Sequence, residues 1–348
     1  MAVKTVLNFD LGNYLLNLIV FLLVLISIKI IFAKDLLNAV IASSVFSVLI
    51  CVSELIMDAP DVAMTEAALG ACLSTCVYLN LLRKLPTNLK NIKRINIIPA
   101  SVICILFVIT LTYIGLELPS YGDNNTPIHM YSSKYYVENT SRDIGIPSFV
   151  AAILASYRGY DTLGETSVIL IAGIAVLLVS SKKSNAFIPR LDHYNSYSDK
   201  QYKIQCSSHG IIHLKVYPII KHITNFIIPY IILYSIYIQI NGEFSPGGGF
   251  QAGVIFASGL IAYNMIYGKQ FFQENILIAV AVLGVAMYAI VGIISLFLND
   301  NYLNYYSLTH FIEDKLAAQH IAIFIVEIVI GLTVAAIMYL IYKVFNYE

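Results

Sequence analysis

Apolar runs of about twenty residues alternate with short polar connectors along nearly the whole chain. The runs fall at 13–32, 36–57, 61–82, 96–116, 164–180, 225–240, 248–267, 275–298 and 318–342. Most are long enough to cross a hydrocarbon layer of about 30 Å as a helix. Lipid offers no partner to a bare backbone amide, and the alternating ten-residue pattern of a membrane barrel is absent, so each run is predicted to be helical. The expected fold is all-α, a polytopic membrane protein with about nine transmembrane helices. The first run follows Lys4 and has an apolar core too long for a cleaved signal, with no small-x-small site after it, so it reads as a retained helix.

Composition narrows the class. Charged residues make up 12% of the 348 and hydrophobic ones 58%, against about 25% charged in a soluble domain. An ordinary soluble enzyme is excluded. Lysine plus arginine (21) balances aspartate plus glutamate (21), so no basic excess exists to hold nucleic acid. Five cysteines, four of them inside apolar runs, argue against a disulfide framework and read as small apolar fillers.

Basic residues orient the spans, because positive loops stay on the cytoplasmic side. Arg83, Lys84, Lys90, Lys93 and Arg94 mark one inner loop, and the stretch 181–224 with Lys182, Lys183, Arg190, Lys200, Lys203, Lys215 and Lys221 marks another. Two spans separate them, which places 117–147 outside, the N-terminus outside and the C-terminus inside. Only Lys4, Lys134, Arg142, Arg158 and Lys315 then lie on the outer side. The same loops divide the chain into blocks of three, two and four spans, over 1–94, 95–195 and 196–348. The short apolar stretch from Ile146 to Tyr157 is too short to cross and is expected to form an interfacial or re-entrant helix.

Ionisable groups within apolar runs are costly, roughly 2.5–3.5 kcal/mol each on insertion scales, and each needs a reason. Asp58-Ala59-Pro60-Asp61 reads as a tight turn, with Asp58 and Asp61 suited to helix capping and Pro60 to a first helical position. Glu66 lies about 9 Å further along at helical rise, among Ala67, Ala68, Gly70 and Ala71. Such small residues mark close helix contact, so its carboxylate is expected inside protein, as a proton or cation relay or as a hydrogen bond to a neighbouring helix. Glu327, about 14 Å into the last run, carries the same two readings. Arg158, Asp161 and Glu165 gather at the mouth of the fifth run, as an ion pair fixing the turn or as part of an ion path. Glu54 reads as facing water.

The remaining chemistry is sparse. The seven histidines show no metal-binding spacing with a third ligand, Cys72 and Cys76 read as packing, and no phosphate loop, nucleophile elbow or nucleotide fingerprint occurs. No metal and no cofactor is expected. Pro246-Gly247-Gly248-Gly249-Phe250 opens the seventh run, and Gly249, Gly253 and Ala257 then recur every four residues as a seam for helix packing.

Three stretches together resemble the membrane subunits of Mrp-type multisubunit sodium/proton antiporters and their relatives in membrane-bound hydrogenase complexes. Asp35 to Ile41 with Ala59 to Ala68 is similar to the three-helix MbhD domain, Tyr157 to Glu165 to the MbhE block, and Gly242 to Phe250 with Glu327 to Met338 to the B subunit, MrpB or MnhB. The family usually has Gly-His ahead of the glycine run, whereas this chain reads Gly242-Glu243. The resemblance implies a transporter subunit rather than an enzyme, in a bacterial inner membrane, beside large antiporter-like chains and small subunits, with sodium and protons as cargo. It also implies ion-path roles for Glu66 and for Arg158, Asp161 and Glu165; Asp61 and Glu327 join that list as buried acids. Two alternatives stand beside it: a subunit that only docks and seals, and a cation-translocating subunit of a hydrogenase-type redox complex.

Overall fold

The computed structural model describes residues 2–33, 35–82, 97–119, 123, 125–180, 218–268, 270–298 and 300–347. The inner loops expected at 83–94 and 181–224 lie almost wholly outside these residues. Among the described residues there are no strands, and nine helices are long and apolar enough to cross a membrane. They are α1 (Ala2–Ile31), α2 (Leu36–Ile56), α3 (Pro60–Leu82), α4 (Ile97–Glu117), α7 (Gly159–Ser180), α8 (Pro218–Asn241), α9 (Gly249–Tyr267), α10 (Glu274–Phe297) and α11 (Lys315–Tyr347). Two short helices, α5 (Lys134–Asp143) and α6 (Phe149–Ala152), lie between α4 and α7, and a π turn, Ile153–Tyr157, extends α6. The all-α polytopic expectation therefore holds.

The last helix is the axis of the fold. α11 carries apolar residues on every face, with only scattered polar ones, as suits a helix enclosed by others, and α7, α8, α9 and α10 pack around it. Glycines cut the notches that let these backbones close in. A Cβ on Gly253 of α9 would stand 2.5 Å from the Gly331 carbonyl, one on Gly173 of α7 2.7 Å from Ile337, and one on Gly284 of α10 would fall on the Thr333 hydroxyl. Without a hydrophobic drive between helices in lipid, this close van der Waals contact is what holds them. α1, α2 and α3 form a second group, joined to the first where α3 meets α9 and α11. α4 has its surface exposed along its whole described length.

α3 is not a uniform α-helix: from Ala67 to Ser74 it runs as π-helix, with the Ser74 hydroxyl donating to the Leu69 carbonyl at 2.7 Å. The wider winding begins at the residue after Glu66. Inserted π turns of this kind are uncommon and concentrate at functional sites.

The connectors 57–59, 125–158, 242–248 and 300–314 share one end of the bundle. Tyr305 donates to the Ala155 carbonyl at 3.0 Å, Tyr306 donates to the Asp143 carbonyl, and the Ser148 amide donates to the Glu243 carbonyl at 3.1 Å. The stretch expected to be interfacial or re-entrant forms α6 and its π turn, with the Ser148 hydroxyl accepting from the Ala151 amide and Ile144, Ile146, Ala151, Ala152 and Ala155 buried beneath. Burial pushes the Tyr157 hydroxyl, which donates to Asp143, up to about 12.

Candidate functional site

The site forms where the turn between α8 and α9 sinks against the middle of α11. Glu327 lies twelve residues past Lys315, about 18 Å of helical rise, yet the turn reaches it. A Cβ on Gly242 would stand 2.8 Å from Glu327 Oε2, and one on Gly249 would fall on the Glu327 carbonyl oxygen. The consecutive glycines thus remove the side chains that would hold turn and helix apart. Gly247 has φ +135°, and a Cβ there would lie 2.7 Å from Ile238, so glycine is required twice over.

Three carboxylates meet at this turn. Asp61 Oδ1 accepts from the Gly247 amide at 2.7 Å, and the Gln251 side-chain amide donates to the Asp61 backbone carbonyl at 3.3 Å. Glu243 Oε2 lies 3.0 Å from His320 Nδ1. Glu327 lies within electrostatic reach of both Glu243 and Asp61. Glu243 and Glu327 are 7% and 5% exposed, and Glu243 Oε1 and Glu327 Oε2 are buried without a hydrogen-bond partner. The Gln239 amide nitrogen is equally unpartnered, while its oxygen rests against Gly331, one turn along α11 from Glu327. Buried polar atoms are paired in the great majority of cases, so three orphans around one turn set this place apart as the candidate site.

The acids named from sequence fall into three groups rather than one. Asp61 and Glu327 belong to the cluster just described. Glu66 is half-buried between α2 and α3, its carboxylate against Gly70 and Ser47 and in electrostatic reach of Glu54. Glu54 does not simply face water, because its Oε2 is buried and unpartnered. Arg158 pairs with Asp161 at the head of α7, with side chains 60% and 48% exposed, and Glu165 lies exposed one turn further on.

Two expectations need correction. Asp58 does not cap α3: it takes a left-handed φ of +57°, Ala59 holds the cap position, and no side chain caps the helix. Pro60 does occupy the first helical position, but Asp61 spends its carboxylate on the glycine turn of another block. Cys72 is exposed on the flank of α3 rather than packed inside. α3 packs on α2 and on α9 and α11, and the face carrying Cys72 has no neighbour among the described residues.

His320 and Gln239 were not named from sequence as site residues, and Glu243 was named only as the residue standing where the family usually has histidine. His320 precedes Glu327 by seven residues, two helical turns, so both lie on one stripe of α11. That spacing was the available signal. Glu243 offered a weaker one, a charge directly before a glycine turn.

Comparison with known proteins fits this arrangement. Residues 219–340 match the family described as a domain related to the MnhB subunit of Na+/H+ antiporter, and residues 21–87 match the MbhD family of MBH subunits. A probable K(+)/H(+) antiporter protein of Rhizobium meliloti, named as its A/B subunit, is 24% identical over 234 residues, covering 65% of this chain and 23% of that protein. The A1 subunit of the Na(+)/H(+) antiporter of Staphylococcus aureus (strain JH9) is 33% identical over 159 residues, 45% of this chain and 19% of that one. In the structure of the Mrp complex from Dietzia sp. DQ12-45-1b, one chain superposes with a TM-score of 0.72 at 20% identity, covering 94% of this chain and 34% of that one. The chain spans between 19% and 60% of the length of the curated relatives it matches.

Proposed function

We infer that this chain, an Mrp-type subunit with an MbhD domain over 21–87 and an MnhB-related domain over 219–340, is a membrane subunit of a multisubunit cation/proton antiporter and carries protons through its buried carboxylates. The observation that carries this reading is the meeting of Asp61, Glu243 and Glu327 at the joint between the two matched domains, with carboxylate oxygens left unpartnered in the interior. A carboxylate deep in a membrane protein has a steep cost, and a proton-carrying role is the usual reason one is kept there. The relatives named for Na+/H+ and K+/H+ exchange support the reaction class.

In this reading the chain divides into an MbhD-like block over 1–94, an MbhE-like block over 95–195 and an MnhB-like block over 196–348. The end that gathers the turns 57–59 and 242–248 faces outward, leaving the N-terminus outside and the C-terminus inside. The host membrane is a bacterial inner membrane. Large antiporter-like chains and small subunits surround it, with sodium and protons as cargo. Glu66 lies on a separate limb of the path beside the π segment of α3, and Arg158, Asp161 and Glu165 lie on its rim. Pro246, Gly247, Gly248, Gly249 and Gly253 seat α9 on α11.

The test is exchange by the whole complex in everted membrane vesicles of a host lacking its own antiporters, read as dissipation of a pH gradient on adding sodium or potassium. Glu327→Gln keeps the shape and removes the titrating group, and it is expected to abolish exchange while the complex still assembles. Wild-type exchange by an assembled Glu327→Gln complex would overturn the reading.

A further inference from the structure

We propose that His320 is the point at which the buried carboxylate group exchanges protons with the aqueous surface. The inference rests on the proton-carrying reading above and adds the residue through which the protons enter and leave.

The geometry has three parts. First, the imidazole has an inward and an outward edge: Nδ1 lies 3.0 Å from Glu243 Oε2, while the Nε2 edge faces Gly145, whose added Cβ would stand 3.5 Å away. Gly145 has φ +79° and no side chain, so the segment over His320 sets only glycine backbone against that edge, and the imidazole keeps 32% of its side-chain surface exposed. Second, burial is graded along the line. The His320 side chain is 32% exposed and that of Glu243 10%, while Glu327 as a residue is 5% exposed. Third, the inner oxygens of the two glutamates, Glu243 Oε1 and Glu327 Oε2, are buried without a hydrogen-bond partner, and a Cβ on Gly242 would stand 2.8 Å from the Glu327 oxygen. A structural ion pair would not need a chain of acceptors descending into the bundle behind it.

Imidazole suits the place because it changes charge near neutral pH and presents two distinct nitrogens. In the inward step Nε2 takes a proton from surface water, giving a cation protonated on both nitrogens. Nδ1 then releases its proton to Glu243 Oε2, the ring is left neutral with its proton on Nε2, and the protonated Glu243 passes one proton on to Glu327. The outward step is the reverse: Glu327 returns its proton to Glu243, Glu243 gives one to Nδ1, and Nε2 releases one to surface water.

The charged groups around His320 are few. The turn between α8 and α9 presents Glu243, the 144–148 segment presents the uncharged Gly145, and α11 itself carries Glu327 two turns below. Glu313, Asp314 and Lys315 lie above it and are exposed, and Asp143 Oδ2 accepts from Tyr157.

The experiment compares wild type, Glu327→Gln, His320→Gln and His320→Ala in the assembled complex, with exchange rates measured across pH. His320→Gln is expected to slow exchange on the order of a hundredfold and to alter the shape of its pH profile. Added imidazole is expected to restore the rate of His320→Ala and to leave a Glu243→Gln complex slow. If Glu327→Gln is inactive while His320→Gln keeps the wild-type rate and pH profile, the entry role is overturned and the antiporter reading stands. If Glu327→Gln exchanges normally, the antiporter reading itself fails. Should the histidine variants not assemble, carbethoxylation of the wild-type complex decides. Loss of exchange in step with the modified fraction of His320, reversed by hydroxylamine, supports the role, and full modification with unchanged exchange overturns it.

Discussion

The Asp61 carboxylate accepts the Gly247 amide proton at 2.7 Å, across 186 residues of chain. This bond ties the first turn of α3 to the glycine turn that opens α9, and so ties the stretch that matches the MbhD family to the one that matches the MnhB-related family. A hydrogen bond to a charged group is worth roughly 1.5–3 kcal/mol net. Asp61→Ala is therefore expected to lower the thermal stability of the detergent-solubilised complex by several degrees. Asp61→Asn keeps an acceptor at Oδ1 and is expected to hold stability close to wild type while slowing exchange. Equal melting of the two variants would show that the bond contributes nothing to the joint.

The seam between α9 and α11 gives a sharper test of packing. A Cβ on Gly253 would stand 2.5 Å from the Gly331 carbonyl and 2.9 Å from Val334, and both are part of the most enclosed helix in the chain. Backbone cannot yield as a side chain can, so Gly253→Ala is expected to cost roughly 1–3 kcal/mol and to reduce recovery of folded complex on size-exclusion chromatography. Gly115→Ala on α4 is the matched control, since nothing lies within 4 Å of that added carbon. It is expected to be neutral or to gain up to about 1 kcal/mol from helix propensity.

Much of this architecture was legible in the sequence, because the bilayer allows few solutions. An apolar run must become a helix, and a four-residue glycine recurrence must become a contact face. What stayed hidden was which acids meet. Asp61 and Glu66 are five residues apart on one helix and read as a cap and as a buried acid, yet it is Asp61 that reaches Gly247 while Glu66 stays beside Gly70. That division depends on how α3 docks against α2 and α9, and no local pattern encodes docking. His320 was passed over because a lone histidine near a helix start has many uses. Only the sinking of the α8–α9 turn, permitted by glycines whose reach is tertiary, brings Glu243 beside it. The π segment of α3 was invisible for a related reason: Gly70 apart, Ala67 to Ser74 has nothing in its composition that disfavours ordinary α-helix.

Asp58 offers a prediction opposite in sign. It holds φ +57°, a region that costs most residues about 1–2 kcal/mol and aspartate somewhat less. It caps nothing, and its side chain is exposed. Asp58→Gly is expected to leave exchange unchanged and to raise thermal stability slightly, by a few tenths of a kcal/mol after the added chain entropy of glycine is counted. A loss of exchange in this variant would reveal a role that the turn geometry does not suggest.

At the far end of α11, Lys343 is 5% exposed and its ammonium lies 3.3 Å from both Glu274 Oε1 and the Phe272 carbonyl. The pair is asymmetric, because the Glu274 side chain is 48% exposed. Removing the lysine leaves a carboxylate that water can solvate, whereas removing the glutamate leaves a buried cation with one carbonyl for company. Breaking a pair from the side that strands the buried charge is the costlier route. Glu274→Ala is thus expected to destabilise the complex by on the order of 1–3 kcal/mol, and Lys343→Met, which keeps the packing volume, by less. The double variant should recover most of the loss seen in Glu274→Ala, since no charge is then stranded. Thermal melts of the four complexes read this directly, and a double variant that melts below both single ones would show that the two residues stabilise the helix end independently rather than as a pair.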